Sequence, residues 1–154
     1  MDISKFTRDA QKAAFCAQRL AGKYGHAHIT PEHVLLALAM QTDNFVEVLF
    51  DQIDGDLAVL IEQLDASLTQ QAKSTENGKS PDIDESTQSV LNSAAAEAEQ
   101  LHDGYICTEH VLLALFNVES IAEMLADMSI NKELVIRNLD RVRCARTPKP
   151  GWLA

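Results

Sequence analysis

Residues 29–38 read Ile-Thr-Pro-Glu-His-Val-Leu-Leu-Ala-Leu, and residues 106–115 read Ile-Cys-Thr-Glu-His-Val-Leu-Leu-Ala-Leu. Eight of the ten positions are identical, at a spacing of 77 residues. Chance does not produce that in one short chain, so the sequence carries an internal repeat. Each copy reads as a short buried helix with a marked start. Thr30 is a good N-cap, because its hydroxyl accepts from an early helical N–H. Pro31 suits the first helical position, where no N–H is needed. Glu32 places negative charge at the positive helix end. Val34, Leu35, Leu36, Ala37 and Leu38 are apolar nearly all round, which implies burial. In the second copy Cys107 stands at the cap position, with Thr108, one residue on, as the alternative.

The repeat organises the rest of the chain. Thr7 caps a first helix, with Phe6 placed to staple back onto its first turn. Ala10, Ala13, Ala14, Ala17, Leu20 and Ala21 follow at helical spacing, a small-residue face that permits close packing. Gly25 is its stop. After the repeated helix, Phe45 to Ile53 form a third and Leu57 to Leu68 a fourth, separated by the turn Asp54-Gly55-Asp56. The pattern then restarts. Asp84 or Ser86 caps a fifth helix carrying Val90, Leu91, Ala94 and Ala98. The second repeated helix, a seventh with Ile121 and Leu125, and an eighth opened by Asn131 complete it. Glu47, Leu49 and Asp51 recur as Glu123, Leu125 and Asp127. The expected fold is therefore all-α: a tandem, pseudo-two-fold repeat of two four-helix units. Residues 1–71 form the first repeat, 72–83 a linker, 84–143 the second repeat and 144–154 a loose tail.

Composition sets outer bounds. The 154 residues are 46% hydrophobic but only 5% aromatic, which describes an aliphatic core. A net charge of −10 argues against general nucleic-acid binding. No apolar run approaches the roughly 20 residues of a membrane span, and the start lacks a signal-peptide pattern. Three dispersed cysteines without a Cys-x-x-Cys read as those of a reduced, cytoplasmic protein.

Lys5 to Ala13 (Lys-Phe-Thr-Arg-Asp-Ala-Gln-Lys-Ala) and the two Glu-His-Val-Leu-Leu-Ala-Leu copies together resemble the Clp N-terminal repeat domain. This is the all-α module at the front of Clp-type AAA+ unfoldases and disaggregases. The resemblance covers residues 1 to about 143. Its opening is more like the ClpB and ClpC types than the ClpA type. Pro31, Cys107 and the loop His102–Tyr105 depart from the family pattern. The resemblance implies a docking module that receives unfolded or tagged proteins, or adaptor proteins, and serves a Clp ATPase ring or protease. It performs no chemistry itself and is expected to be a monomer. The alternative is a free-standing Clp-repeat protein that regulates a Clp complex. An apolar groove between the halves, used by family members for extended peptides, is also implied.

Other motifs resolve into ordinary roles. Gly78-Lys79-Ser80 resembles the end of a phosphate loop, but Lys73 stands where the pattern needs glycine and no apolar strand precedes it. ATP hydrolysis by this chain alone is not expected. Five histidines lack zinc-ligand spacing, so neither metal nor cofactor is expected. His33 and His110, at matching positions, read as packing or capping residues. Cys107 sits at a helix start, which favours a thiolate, yet no catalytic constellation surrounds it. Glu32 and Glu109 stabilise their helix starts on one reading. On the other, two symmetry-related helix starts form pockets for a guanidinium and a phosphate together, the chemistry of phosphoarginine. Phosphoarginine docking is a property of ClpC-type members. In ClpB-type members the residues matching Thr7, Asp103 and Glu109 are implicated in substrate binding. The candidate site is accordingly Thr7, Glu32, Asp103 and Glu109.

Overall fold

The computed structural model describes residues 3–42, 44–71, 73 and 80–146. Among them run α1 (Arg8–Lys23), β1 (His28–Ile29), α2 (Pro31–Met40), α3 (Phe45–Gln52), α4 (Leu57–Gln70), β2 (Asp82–Ile83), α5 (Glu85–Gln100), α6 (Thr108–Leu115), α7 (Glu119–Asp127) and α8 (Lys132–Arg146). The all-α repeat expected from the sequence is present, with two helix starts settled in favour of one candidate. Asp84 caps α5, its carboxylate accepting from the Thr87 N–H at 2.7 Å. Cys107 caps α6, and Thr108 is the first helical residue.

The two halves share local rules as well as residues. α1 and α5 are both 16 residues long and start 77 residues apart. Each is followed by a residue in the left-handed region, Gly25 (φ 76°) and His102 (φ 59°). Glycine adopts that conformation freely; histidine bears strain there. α3 and α7 likewise end in Asp54 and Ser129, with φ of 54° and 64°. The Gly55 N–H bonds the Phe50 carbonyl as the Ile130 N–H bonds the Leu125 carbonyl. That sets the repeat register at 75 there, against the 76 that matching Glu47-x-Leu49-x-Asp51 to Glu123-x-Leu125-x-Asp127 suggests. Helix-end hydrogen bonding, not side-chain identity, fixes the register.

α2 and α6 form the centre. Leu35, Leu36, Leu38, Leu113 and Leu115 are buried completely or nearly so. Each such side chain contributes about 1.5–3 kcal/mol relative to an exposed position. α1 packs on α2 and α5 on α6, while α2 meets α6 across the pseudo-axis. α1 comes close because Ala13, Ala17 and Ala21 are its buried face.

The halves also exchange backbone. The Thr7 N–H donates to the Ile106 carbonyl (3.0 Å) and the Ile106 N–H to the Lys5 carbonyl (2.8 Å). The counterpart is the parallel pair β1–β2, His28 with Asp82 and Ile29 with Ile83. Phe6, expected as a staple, thus stands in a bridge to Ile106. Asp82 and Ile83, expected as linker, are a strand. Two-residue strands bury too little to leave a periodic signal. α8 continues to Arg146, three residues beyond the expected end of the second repeat. Symmetry fails in one respect: α4 packs on α2 of its own half, whereas α8 packs on α3 of the other. Most of the expected linker, including Gly78 and Lys79, and the chain from residue 147, including Trp152, lie outside the described residues.

The candidate docking groove and its two polar ends

Between α1 and α5 a groove of about 210 Å³ opens on an apolar floor. A cavity of roughly 150 Å³ already takes a benzene-sized group, so apolar side chains of a partner have room. Its walls come in pairs related by the repeat: Phe6 and Ile83, Ala14 and Leu91, Val34 and Val111. Four alanines of α1, Ala10, Ala13, Ala14 and Ala17, leave the space; Thr87 and Leu91, the counterparts of Ala10 and Ala14, fill more of it. Ile83 is 47% exposed at the rim and Phe15, the next residue after Ala14, is 63% exposed.

At one end of the groove the bridge between Phe6 and Ile106 brings Thr7 beside the start of α6. Thr7 Oγ1 is spent as a cap, accepting from the Ala10 N–H at 3.3 Å. Asp103 and Glu109 lie there together, joined by Arg143 from α8. Arg143 Nε donates to Glu109 Oε2 at 2.8 Å, and its terminal nitrogens donate to the two Asp103 oxygens at 2.8 and 3.4 Å. The Glu109 side chain is only 4% exposed. Burial opposes ionisation of Asp103, but hydrogen bonds from Arg143 and His110 and the charge of Arg143 outweigh it and hold the carboxyl below its usual range. Burial likewise disfavours charged Arg143, and the two carboxylates reverse that, raising its pKa.

Glu32 stands apart from these three residues. Half-buried in the first turn of α2, it accepts from the Ser120 hydroxyl of α7 at 3.0 Å. The twin helix starts are therefore unequal.

The two repeated histidines explain the inequality. His33 Nδ1 accepts from the Thr30 N–H at 2.9 Å, and His110 Nδ1 from the Cys107 N–H at 2.8 Å. Each histidine takes the third-position role that Glu or Gln plays in a capping box. The capping role read from the sequence is what they perform. It also consumes N–H groups that an incoming anion would use. With Nδ1 accepting, the neutral ring carries its proton on Nε2. His110 Nε2 donates to Asp103 Oδ2 at 2.7 Å. His33 Nε2 meets His26 Nδ1 at 2.8 Å. His26 lies 77 residues before Asp103, so a histidine replaces a carboxylate in the same place. Its own Nε2 is buried and finds no hydrogen-bond partner among the described residues. Burial first, and the neighbouring His26 second, push the His33 pKa down to about 4, against a smaller opposing effect of Asp84.

Sequence reasoning missed two of these residues. Arg143 reads as one of several cations suiting a helix C-terminus, and nothing local marks it as a partner of residues 34 and 40 positions away. His26 was legible: aligning the repeats sets it on Asp103. Among the described residues no three His, Cys, Asp or Glu side chains form a metal-binding group. Burial raises the Cys16 thiol pKa over the opposing Arg19 charge, which suits an inert core thiol. No helix among the described residues is long and apolar enough to cross a membrane.

Known proteins share this fold. The chain is 29% identical over 147 residues to the chaperone protein ClpB of Bacillus cereus, covering 93% of this chain and 17% of that protein. The N-terminal domain (1–163) of the ClpV1 ATPase from Escherichia coli superposes with a TM-score of 0.80 at 22% identity, covering 96% of this chain and 93% of that one. A ClpV N-domain solved in complex with a VipB peptide matches with a TM-score of 0.75 at 16% identity, covering 96% and 92%. The model of the Clp repeat (R) N-terminal domain matches residues 5–138, and the chain belongs to that family.

Proposed function

We propose that this chain is a docking module, non-catalytic by itself, that receives apolar segments of client or adaptor proteins in the groove between α1 and α5. It would serve a Clp-type ATPase ring or protease in the cytoplasm, either as an unfoldase N-terminal domain or as a free-standing regulator. The observation that carries this reading is the groove itself, apolar-floored and open to solvent between two bridged halves. A ClpV N-domain of the same fold was solved with a VipB peptide, which supports peptide docking as a use of this architecture. Thr7, Asp103 and Glu109 at one end and Glu32 near the other are the polar residues proposed to meet the flanks of the docked segment. Calorimetric titration with an unfolded model polypeptide tests it. Ala14→Trp fills the groove from an exposed position and should abolish the heat without lowering thermal stability. Undiminished binding by Ala14→Trp refutes groove docking.

Arg143 favours a second reading. Its guanidinium lies on Glu109, at the start of α6, and on Asp103, and Glu32 is the carboxylate at the twin helix start, which supports a guanidinium as a ligand there. An arginine side chain of a partner, phosphorylated on its guanidinium, would bind at Glu32. Titration with a phosphoarginine peptide, lost in Glu32→Ala, supports it; equal affinity of the two proteins refutes it.

A further inference from the structure

The repeat makes the two ends of the groove directly comparable. At one end the chain runs Lys5-Phe6-Thr7-Arg8 and at the other Asp82-Ile83-Asp84-Glu85, 77 residues on. The backbone bridges are equivalent, the apolar wall residue is kept as Phe6 or Ile83, and Thr7 and Asp84 both cap helices. The flanking charges differ in net sign: Lys5 and Arg8 outweigh Asp9 at the first end, whereas the second carries Asp82, Asp84 and Glu85 with Ser86 in the place of Asp9. Lys5 and Arg8 are exposed where Asp82 and Glu85 are exposed in the other half. Beyond the first end, Arg143 neutralises carboxylate charge from Asp103 and Glu109. Beyond the second, Glu32 adds a carboxylate whose partner is the Ser120 hydroxyl rather than a cation.

The backbone bridges at the two ends are related by the repeat, so main-chain geometry there accepts an extended segment in both directions, and the difference in bulk between Ala10 and Ala14 and their counterparts Thr87 and Leu91 does not sort the charge of its flanks. Charges of opposite net sign at the groove ends remove that degeneracy, because opposite charges steer and register a partner more than they tighten it. We infer that the groove is electrically polarised and takes an apolar segment with one basic flank, seated so that the flank lies at Asp82 and Glu85 while the acidic or uncharged flank lies at Lys5 and Arg8. This inference rests on the groove-docking reading and adds the orientation and flank chemistry of the partner. The charges are exposed, so the selectivity is modest and fades once the screening length drops below about 8 Å, above physiological salt.

The test uses three synthetic peptides with one apolar core: lysines before it and glutamates after, the reverse, and lysines on both sides. A nitroxide sits at one end of each, and NMR line broadening is read at the amides of Lys5 and Arg8 and of Asp82 and Glu85. In both dipolar peptides the label beside the lysines should broaden Asp82 and Glu85, so that the label changes ends with the charges and not with chain direction. The combined exchange of Lys5→Asp, Arg8→Glu, Asp82→Lys and Glu85→Arg should reverse the pattern. At low salt the dipolar peptides should bind several-fold tighter than the doubly basic one. Equal broadening at both ends, or broadening that follows chain direction, overturns the inference while leaving groove docking intact. Absence of binding by all three peptides removes the docking reading, and this inference with it.

Discussion

Replacing His26 with Asp places in the first half the partner that Asp103 supplies to His110 in the second. In the wild type, His33 holds Thr30 N–H on Nδ1 and His26 Nδ1 against Nε2, so the ring is locked neutral. Its folded pKa of about 4 lies below the unfolded value near 6.5. Because the unfolded chain takes up the proton first, this contribution to stability is complete above pH 6.5 and is lost progressively as pH falls towards 4. Between pH 7.5 and pH 5 the loss from this one group comes to about 2 kcal/mol by that linkage. In His26→Asp the carboxylate accepts from Nε2–H and favours the charged ring, and the buried, partnerless His26 Nε2 is gone. The variant should lose about 2 kcal/mol less than wild type between the two pH values. Urea unfolding at both, with the difference taken between proteins, cancels the shared titration of the surface carboxylates. NMR titration of the His33 ring gives the same answer independently. Equal pH-dependence of the two proteins to within about 0.5 kcal/mol, or a wild-type His33 that titrates near 6.5, refutes the reasoning.

Arg143→Met should cost about 1–3 kcal/mol in urea unfolding, less than the 3–5 of a fully buried broken pair because Asp103 and Arg143 keep some solvent. The same variant should show the Asp103 carboxyl titrating at higher pH by NMR, since its cationic neighbour is removed. His102→Gly, at φ 59°, should raise stability by about 0.5–1 kcal/mol by relieving left-handed strain, visible as a higher melting temperature. Thr108→Val removes the 2.8 Å hydroxyl bond to Asn44 Oδ1, which ties the halves together; it should cost about 1–2 kcal/mol in chemical unfolding. Ala21→Leu on the closed face of α1, away from the groove, should cost about 1–3 kcal/mol by overpacking, read by the same method.

The helices were largely legible because their signals are local. Thr7, Thr30, Asp56, Asp84 and Asn131 are cap residues within three positions of the N–H groups they serve, and the apolar stripes repeat at helical spacing. The cap at Cys107 was ambiguous because its sulfur accepts poorly; His110 supplies the missing partner from inside the helix. The strand Asp82–Ile83 was taken as linker because two residues carry no period. At the candidate site the carboxylates were visible and their company was not. Arg143 reaches Asp103 across 40 residues, a pairing that no spacing rule encodes.

By itself the sequence determined the tandem repeat, the order of the helices, and the family resemblance, since all of these depend on residues a few positions apart or on identity between the copies. Tertiary structure decided that Asp103 and Glu109 share Arg143 and that Thr7 is bonded to Ile106 near the start of the same helix, while Glu32 pairs with Ser120. It also decided that one repeated histidine faces a carboxylate and the other a second histidine, and that α8 crosses to the opposite half to bring Arg143. The physical reason is that burial and hydrogen bonding act between whichever groups packing brings within about 3 Å, and sequence distance places no limit on that choice.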